Sequence, residues 1–123
     1  MKKISFVIPC YRSENTLEHV VRDIETTMQQ KELAAAYEYE IILINDCSPD
    51  NTLGTIRRLC EEKNHIKGIS FARNFGQHAA LMAGLRQSVG DYVVCLDDDG
   101  QTPAQEVNKL LDKLEEFLMG ISK

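Results

Sequence analysis

The 123 residues carry no surplus of basic side chains; the formal charge is −5, and Lys and Arg form no stripe. That disfavours nucleic acid as a partner. No apolar run approaches the length of a membrane span. No secretory leader is legible, because Met1-Lys2-Lys3 runs straight into a strand-like segment, so the expected location is cytoplasmic. Cys10, Cys47, Cys60 and Cys95 lie far apart without a Cys-x-x-Cys, and His19, His65 and His78 are equally scattered. That spacing argues against a zinc site and leaves reduced, packing thiols as the expectation. Gly-x-Gly-x-x-Gly is also missing. Pro9 and the bulky Tyr11 stand where a dinucleotide fold needs glycines beside a pyrophosphate, which disfavours nicotinamide and flavin dinucleotides. There is no internal repeat and no low-complexity stretch, and the length allows one domain at most.

What is present is alternation. Ile4 to Ile8 reads as a strand stopped by Pro9, and Cys10 to Asn15 as a loop. A helix follows with Leu17, Val20, Val21, Ile24 and Met28 on one stripe, and Asn15 with Glu18 fits a capping pair. Residues 30–37 look like a linker. Glu40 to Ile44 is a second strand, followed by the turn-rich Asn45-Asp46-Cys47-Ser48-Pro49-Asp50-Asn51. Leu53, Ile56, Leu59 and Cys60 mark a second helix, and residues 66–72 a third strand. A third helix carries Ala79, Ala80, Ala83 and Gly84, whose small side chains permit close packing, and Ser88-Val89-Gly90 breaks it. Tyr92 to Leu96 reads as a strand buried on both faces. Pro103 opens a last helix with Val107, Leu110, Leu111, Leu114, Phe117 and Leu118 on its apolar face. Four strand–helix alternations predict an α/β fold: a mainly parallel four-stranded, Rossmann-like sheet with helices on both faces. In such sheets ligands sit outside the carboxyl ends of the strands.

Three strand exits carry unusual chemistry. The apolar run to Leu96 ends in Asp97-Asp98-Asp99-Gly100-Gln101. Three adjacent carboxylates repel one another, and a hard cation removes that cost. An extended backbone would turn Asp97 and Asp99 to one side as an Asp-x-Asp pair. A solvated acidic turn capping the next helix is the plainer explanation, and Gln101 suits either a metal or a cap. At the first exit, Tyr11 suits stacking on a base, against packing on the sheet end. Glu14 suits a base or ribose, against answering a helix dipole. Asp46 suits a pyrimidine imide or ribose hydroxyl, against capping the helix after Asn51. Arg73 precedes a glycine-containing helix start, where a cation and free amides can face phosphate; a surface ion pair is the alternative. His78 reads as an ordinary first-turn helix residue.

These segments together resemble family 2 glycosyltransferases of the GT-A fold. Val7-Ile8-Pro9-Cys10-Tyr11-Arg12-Ser13-Glu14, Ile44-Asn45-Asp46-Cys47-Ser48-Pro49-Asp50-Asn51-Thr52, Arg73-Asn74-Phe75-Gly76-Gln77-His78 and Leu96-Asp97-Asp98-Asp99-Gly100-Gln101 occur in order at the family's spacing. Within the family the sequence is most similar to the polyprenyl-phosphate sugar transferases. The resemblance implies a nucleotide-diphosphate sugar as donor, with Pro9, Tyr11, Glu14 and Asp46 on the nucleoside. Asp98 would line the donor site, with Arg73 near the diphosphate or sugar. It implies Mg2+ or Mn2+ at Asp97, Asp99 and Gln101, with Asp97 and Asp99 as the catalytic pair of a DxD motif. It also implies an inverting displacement onto a polyprenyl phosphate or glycan acceptor.

The sequence departs from the family where Asn45 replaces a common first Asp, Cys47 a usual Gly, Gly100 an apolar residue, and Thr102-Pro103-Ala104 an Asn-Pro-Pro. The acceptor half and its general base normally follow the metal motif. The expectation is therefore a donor-binding domain over residues 1–119 with a tail over 120–123, truncated before its acceptor half. The full-length protein would be membrane-associated with its active site facing the cytoplasm, and the truncated domain is free to self-associate. Two rivals differ in class. One is a non-catalytic nucleotide-binding fragment. The other is a receiver-type signalling domain, disfavoured because Pro9-Cys10-Tyr11 replaces the paired acids that it needs.

Overall fold

The computed structural model describes residues 1–96. The acidic run from Asp97 onward and the helix expected after Pro103 lie outside the described residues. In chain order the elements are β1 (Lys2–Cys10), α1 (Leu17–Met28), α2 (Lys31–Ala36), β2 (Tyr37–Asn45), α3 (Thr52–Glu62), β3 (Ile66–Ser70), α4 (Gln77–Gln87) and β4 (Tyr92–Cys95). The four strands form one parallel sheet in the order β3-β2-β1-β4.

Side-chain alternation along β1 and β2 builds two cores. Ile4, Phe6, Ile8 and Cys10, with Ile41 and Leu43, face the stripe of α1 and the buried Ile56 and Leu59 of α3. Val7, Ile42 and Ile44 face the other way, onto Ala80 of α4. Both inner strands are therefore apolar on both faces, as covered parallel strands are. Each fully buried Ile or Leu contributes about 1.5–3 kcal/mol relative to leaving it exposed. The small residues of α4 do what their size suggests. A methyl group on Gly84 would overlap Val7 Cγ1 and lie 2.8 Å from Ile44 Cδ1, so the helix rests almost directly on the sheet.

The chain crosses from β1 to β2 and β3 with α1 and α3 on one face. It then returns through α4, on the opposite face, to β4 on the far side of β1. The reversal places a topological switch between β1 and β4, where α/β sheets open a crevice at their carboxyl ends.

Several local expectations change. β1 does not stop at Pro9; it continues to Cys10, with Pro9 opposite Ile44 and Cys10 opposite Asn45. Among the described residues the β1–β4 ladder runs to Val7 opposite Cys95, plus the Leu96 N–H donating to the Val7 carbonyl at 3.1 Å. Odd-numbered β1 residues therefore turn their backbone toward β4. The nitrogen of Pro9 does so too, but it carries no proton and donates nothing to that side. The linker expected over 30–37 is α2 and the start of β2, because Leu33 is buried and Tyr37 and Tyr39 pack against the core. Asn15 does not cap α1. The N-cap is Thr16, and the Ser13 carbonyl accepts the Thr16 and Leu17 amides. β4 is not buried on both faces. Among the described residues it is an edge strand, with Val93 39% exposed and Cys95 exposed.

At the amino end of the sheet, Glu40 is buried at 2% exposure. It accepts hydrogen bonds from the Ser5 hydroxyl and the Val89 amide, and Lys67 Nζ lies 2.8 Å from its other oxygen. Burial pushes this carboxyl up, but the contacts from Lys67, Ser5 and Val89 outweigh it and hold the group below its ordinary value. Gly90 N–H donates to the Ser5 hydroxyl at 2.9 Å. The cluster pins the α4–β4 connection to the sheet, at the end away from the strand exits. Among the described residues no helix is long and apolar enough to cross a membrane.

Candidate functional site

The exits of β2, β1 and β4 are neighbours in the sheet, as the site requires. Asp46 N–H donates to the Cys10 carbonyl at 3.1 Å, which sets the Asp46 backbone beside the residue that precedes Tyr11. Phe71 N–H donates to the Asn45 carbonyl at 2.9 Å and brings the β3 exit alongside. A small cavity of about 120 Å³ opens at the switch point, lined by Pro9, Gln77, Leu81, Cys95 and Leu96. Asp97 is the next residue in sequence. Desolvation pushes the Cys95 thiol up, which disfavours its thiolate form.

The β1 and β2 exit loops are stitched together by short polar side chains. Arg12 N–H donates to Ser48 Oγ at 2.7 Å, and Ser13 N–H donates to Thr52 Oγ1 at 2.8 Å. Asp50 is the hub. It accepts the Ser48 and Thr52 hydroxyls, the Thr52 amide at 3.1 Å and the Glu14 amide at 3.3 Å. Desolvation pushes its carboxyl up, but the hydrogen bonds from Ser48, Thr52 and Glu14 prevail and bring it down to about 2. Sequence reasoning missed Ser13, Ser48, Asp50 and Thr52. Their signal was the Ser-x-Asp-x-Thr spacing, a side chain-to-backbone turn ahead of a helix. Two non-glycine residues in this web sit in the left-handed region, Arg12 at φ 57° and Cys47 at φ 52°. Such strain persists where the surroundings over-determine the backbone, and it gathers at functional sites.

Tyr11 is 44% exposed, with the Arg12 guanidinium 5.6 Å from its ring centroid. Glu14 is exposed on the same loop. Asp46 does not cap the helix after Asn51; the Thr52 amide there donates to Asp50. At 4% exposure the Asp46 carboxylate instead accepts Phe75 N–H at 2.8 Å and Gly76 N–H at 3.0 Å. Gly76 is the N-cap of α4, and its φ of 95° with ψ of 162° is a conformation essentially confined to glycine. The amides ahead of α4, expected to be open to a phosphate, therefore already hold an internal anion. Arg73 is exposed beside them, its guanidinium 4.9 Å from the Phe75 ring centroid.

Asp97, Asp98, Asp99 and Gln101 lie outside the described residues, and among the described residues no group of three His, Cys, Asp or Glu side chains could hold a metal. The donor set at 97–101 is carboxylate and amide oxygen throughout, which suits Mg2+ or Mn2+ and not zinc or copper.

Comparison with known proteins agrees with the fold. The family described as Glycosyl transferase family 2 matches residues 5–120. The structure of S. aureus TarS is 25% identical over 80% of this chain, with a TM-score of 0.63, and the match covers 17% of that protein. TarS 1-349 in complex with UDP is 22% identical over 90% of this chain, with a TM-score of 0.65 and 32% of that chain covered. The mannosyltransferase PcManGT from Pyrobaculum calidifontis, in complex with GDP-Man and Mn2+, is 21% identical over 87% of this chain, with a TM-score of 0.67 and 32% of that chain covered. This chain thus spans about a third or less of the length of these proteins.

Proposed function

The chain belongs to glycosyl transferase family 2, and from that premise we propose that it binds a nucleoside diphosphate sugar at the β1–β4 rim and supplies the donor side of a sugar transfer. The observation that carries this is the switch-point crevice, lined by Gln77, Leu81, Pro9, Cys95 and Leu96, the last of which directly precedes the acidic run in sequence. Tyr11, Pro9 and Glu14 form the wall for the base and ribose, with Asp46 at its foot. Arg73 and Asp98 serve the diphosphate and sugar. Among the described residues no carboxylate pairs with the Arg73 guanidinium, which leaves it available to an anion. Asp97, Asp99 and Gln101 would hold Mg2+ or Mn2+, which as a Lewis acid stabilises charge on the departing diphosphate. The solved structures with UDP and with GDP-Man and Mn2+ support a donor of this class. The acceptor in this reading is a polyprenyl phosphate.

Titration calorimetry with UDP and GDP tests the donor side. Binding is expected with Mn2+ or Mg2+ present and at least tenfold weaker with chelator, since two or three charge-assisted contacts would be lost. Asp97→Asn with Asp99→Asn should remove the metal dependence. Equal affinity with and without metal in the parent chain refutes the metal role, and absence of binding to either nucleotide under all conditions refutes the donor site.

A further inference from the structure

We propose that the outer edge of β3, with the face of α3 beside it, is the docking surface for a second copy of this chain, joined about a two-fold axis through Gly68. Among the described residues β3 is the outermost strand on its side of the sheet, at the edge away from the β1–β4 crevice. Its odd-numbered residues turn their backbone to β2, since the His65 carbonyl accepts Ile41 N–H and Phe71 N–H donates to the Asn45 carbonyl. Gly68 and Ser70 therefore present their amides and carbonyls outward, and both residues are exposed. Such an edge is a template for another strand unless a charge, a proline or a bulge guards it. The one charge on β3 is Lys67, whose Nζ lies 2.8 Å from Glu40, and the strand holds no proline.

Antiparallel pairing centred on Gly68 sets Gly68 against its own copy, Lys67 against Ile69 and Ile66 against Ser70. The two Gly68 residues exchange N–H···O=C bonds, and each Ser70 amide meets the Ile66 carbonyl of the other copy. No like charges stand opposite each other. Beside this edge, α3 and β3 form an open groove of about 480 Å³, lined by Leu53, Ile56, Cys60 and Gly68 and by the exposed Arg57 and Glu61. A Cβ on Gly68 would lie 2.8 Å from Ile56 Cγ2 and 3.2 Å from Cys60 Sγ, so α3 sits close over the strand and moves with it into any contact. The charges on the groove carry the choice of partner. Arg58 is paired with Glu18 and Glu62, but among the described residues Arg57 and Glu61 have no ion pair. They lie one helical turn apart, and the two-fold axis turns α3 antiparallel to its copy. Arg57 of each chain then faces Glu61 of the other, the reciprocal matching that an isologous contact requires. The same contact takes the apolar walls of the groove out of water.

Sedimentation equilibrium of the full chain, without nucleotide or metal, is the test. The parent chain is expected to dimerise reversibly. Arg57→Glu brings acidic groups against acidic groups, and Glu61→Arg brings basic against basic. Each variant alone should dimerise at least about tenfold more weakly. An equimolar mixture of the two variants should recover a heterodimer of near-parental strength, which a pairing within one helix cannot produce. In the parent chain the Gly68 and Ser70 amides should exchange more slowly as protein concentration rises. A chain that stays monomeric up to about 1 mM overturns the proposal. A dimer indifferent to both reversals overturns it too, because the contact then lies elsewhere. So does a dimer in which the Gly68 and Ser70 amides exchange as fast as in the monomer.

Discussion

Cys47 holds φ at 52° with a side chain that resists it. A Cβ in this region costs about 1–2 kcal/mol, and only glycine escapes the clash. Glycine is the residue usual at this place in family 2 sequences, so Cys47→Gly should stabilise the chain by about 1 kcal/mol after the larger entropy of the unfolded glycine is subtracted. Urea denaturation of the two proteins decides it; a loss of stability means that the Cys47 side chain, whose Sγ lies 3.6 Å from the Ala72 carbonyl, holds the loop by more than its backbone shape. Asp50 gives a pH signature. Its folded value of about 2 lies below the ordinary carboxylate range, so its stabilisation is full above about pH 4 and is lost as pH falls toward 2. Melts of the parent chain and Asp50→Asn should differ most at neutral pH and converge near pH 2. A gap that stays constant with pH excludes the carboxylate as the hub of the two exit loops.

At the level of single elements, α4 and β3 are the informative ones. Gly84→Ala gains about 1 kcal/mol of helix propensity. It must also drive a methyl into Val7 and Ile44, an overpacking that costs about 1–3 kcal/mol, so a net loss is expected in a denaturant titration. Lys67 on β3 gives the opposite kind of test. With Lys67→Met, Glu40 remains buried and loses its cation, so desolvation governs and its pKa should rise. The variant should therefore lose about 1–2 kcal/mol at pH 7 and much less at pH 4, where the carboxyl can protonate. Equal losses at both pH values would show that Lys67 contributes only by packing. The helices and inner strands were legible because Leu17 to Met28 and Ile41 to Ile44 repeat with the periods of their elements. The misreadings arose where local pattern and sheet position disagree. Val93-Val94-Cys95 has an interior composition, yet among the described residues it lies at an edge. Pro9 reads as a stop, yet it lies in β1 opposite Ile44, because its missing proton faces the β4 side and costs the β1–β2 ladder nothing.

For the molecule as a whole, strand order decides what the sequence could not. Three exits with unusual chemistry were readable as a list of segments; that those of β2, β1 and β4 are adjacent follows only from the order β3-β2-β1-β4. The partners of Asp46 were unreadable for the same reason, because they lie 29 and 30 residues away and are backbone groups, which leave no mark in side-chain identity. The fold also separates two tasks. Glu40 and Lys67 secure the amino end of the sheet, while the web around Asp50 and Asp46 shapes the carboxyl end. The proton missing from Pro9 has an effect on this second end. Pro9 offers the β4 side no amide proton, so one wall of the cavity lined by Pro9, Cys95 and Leu96 has no donor to satisfy.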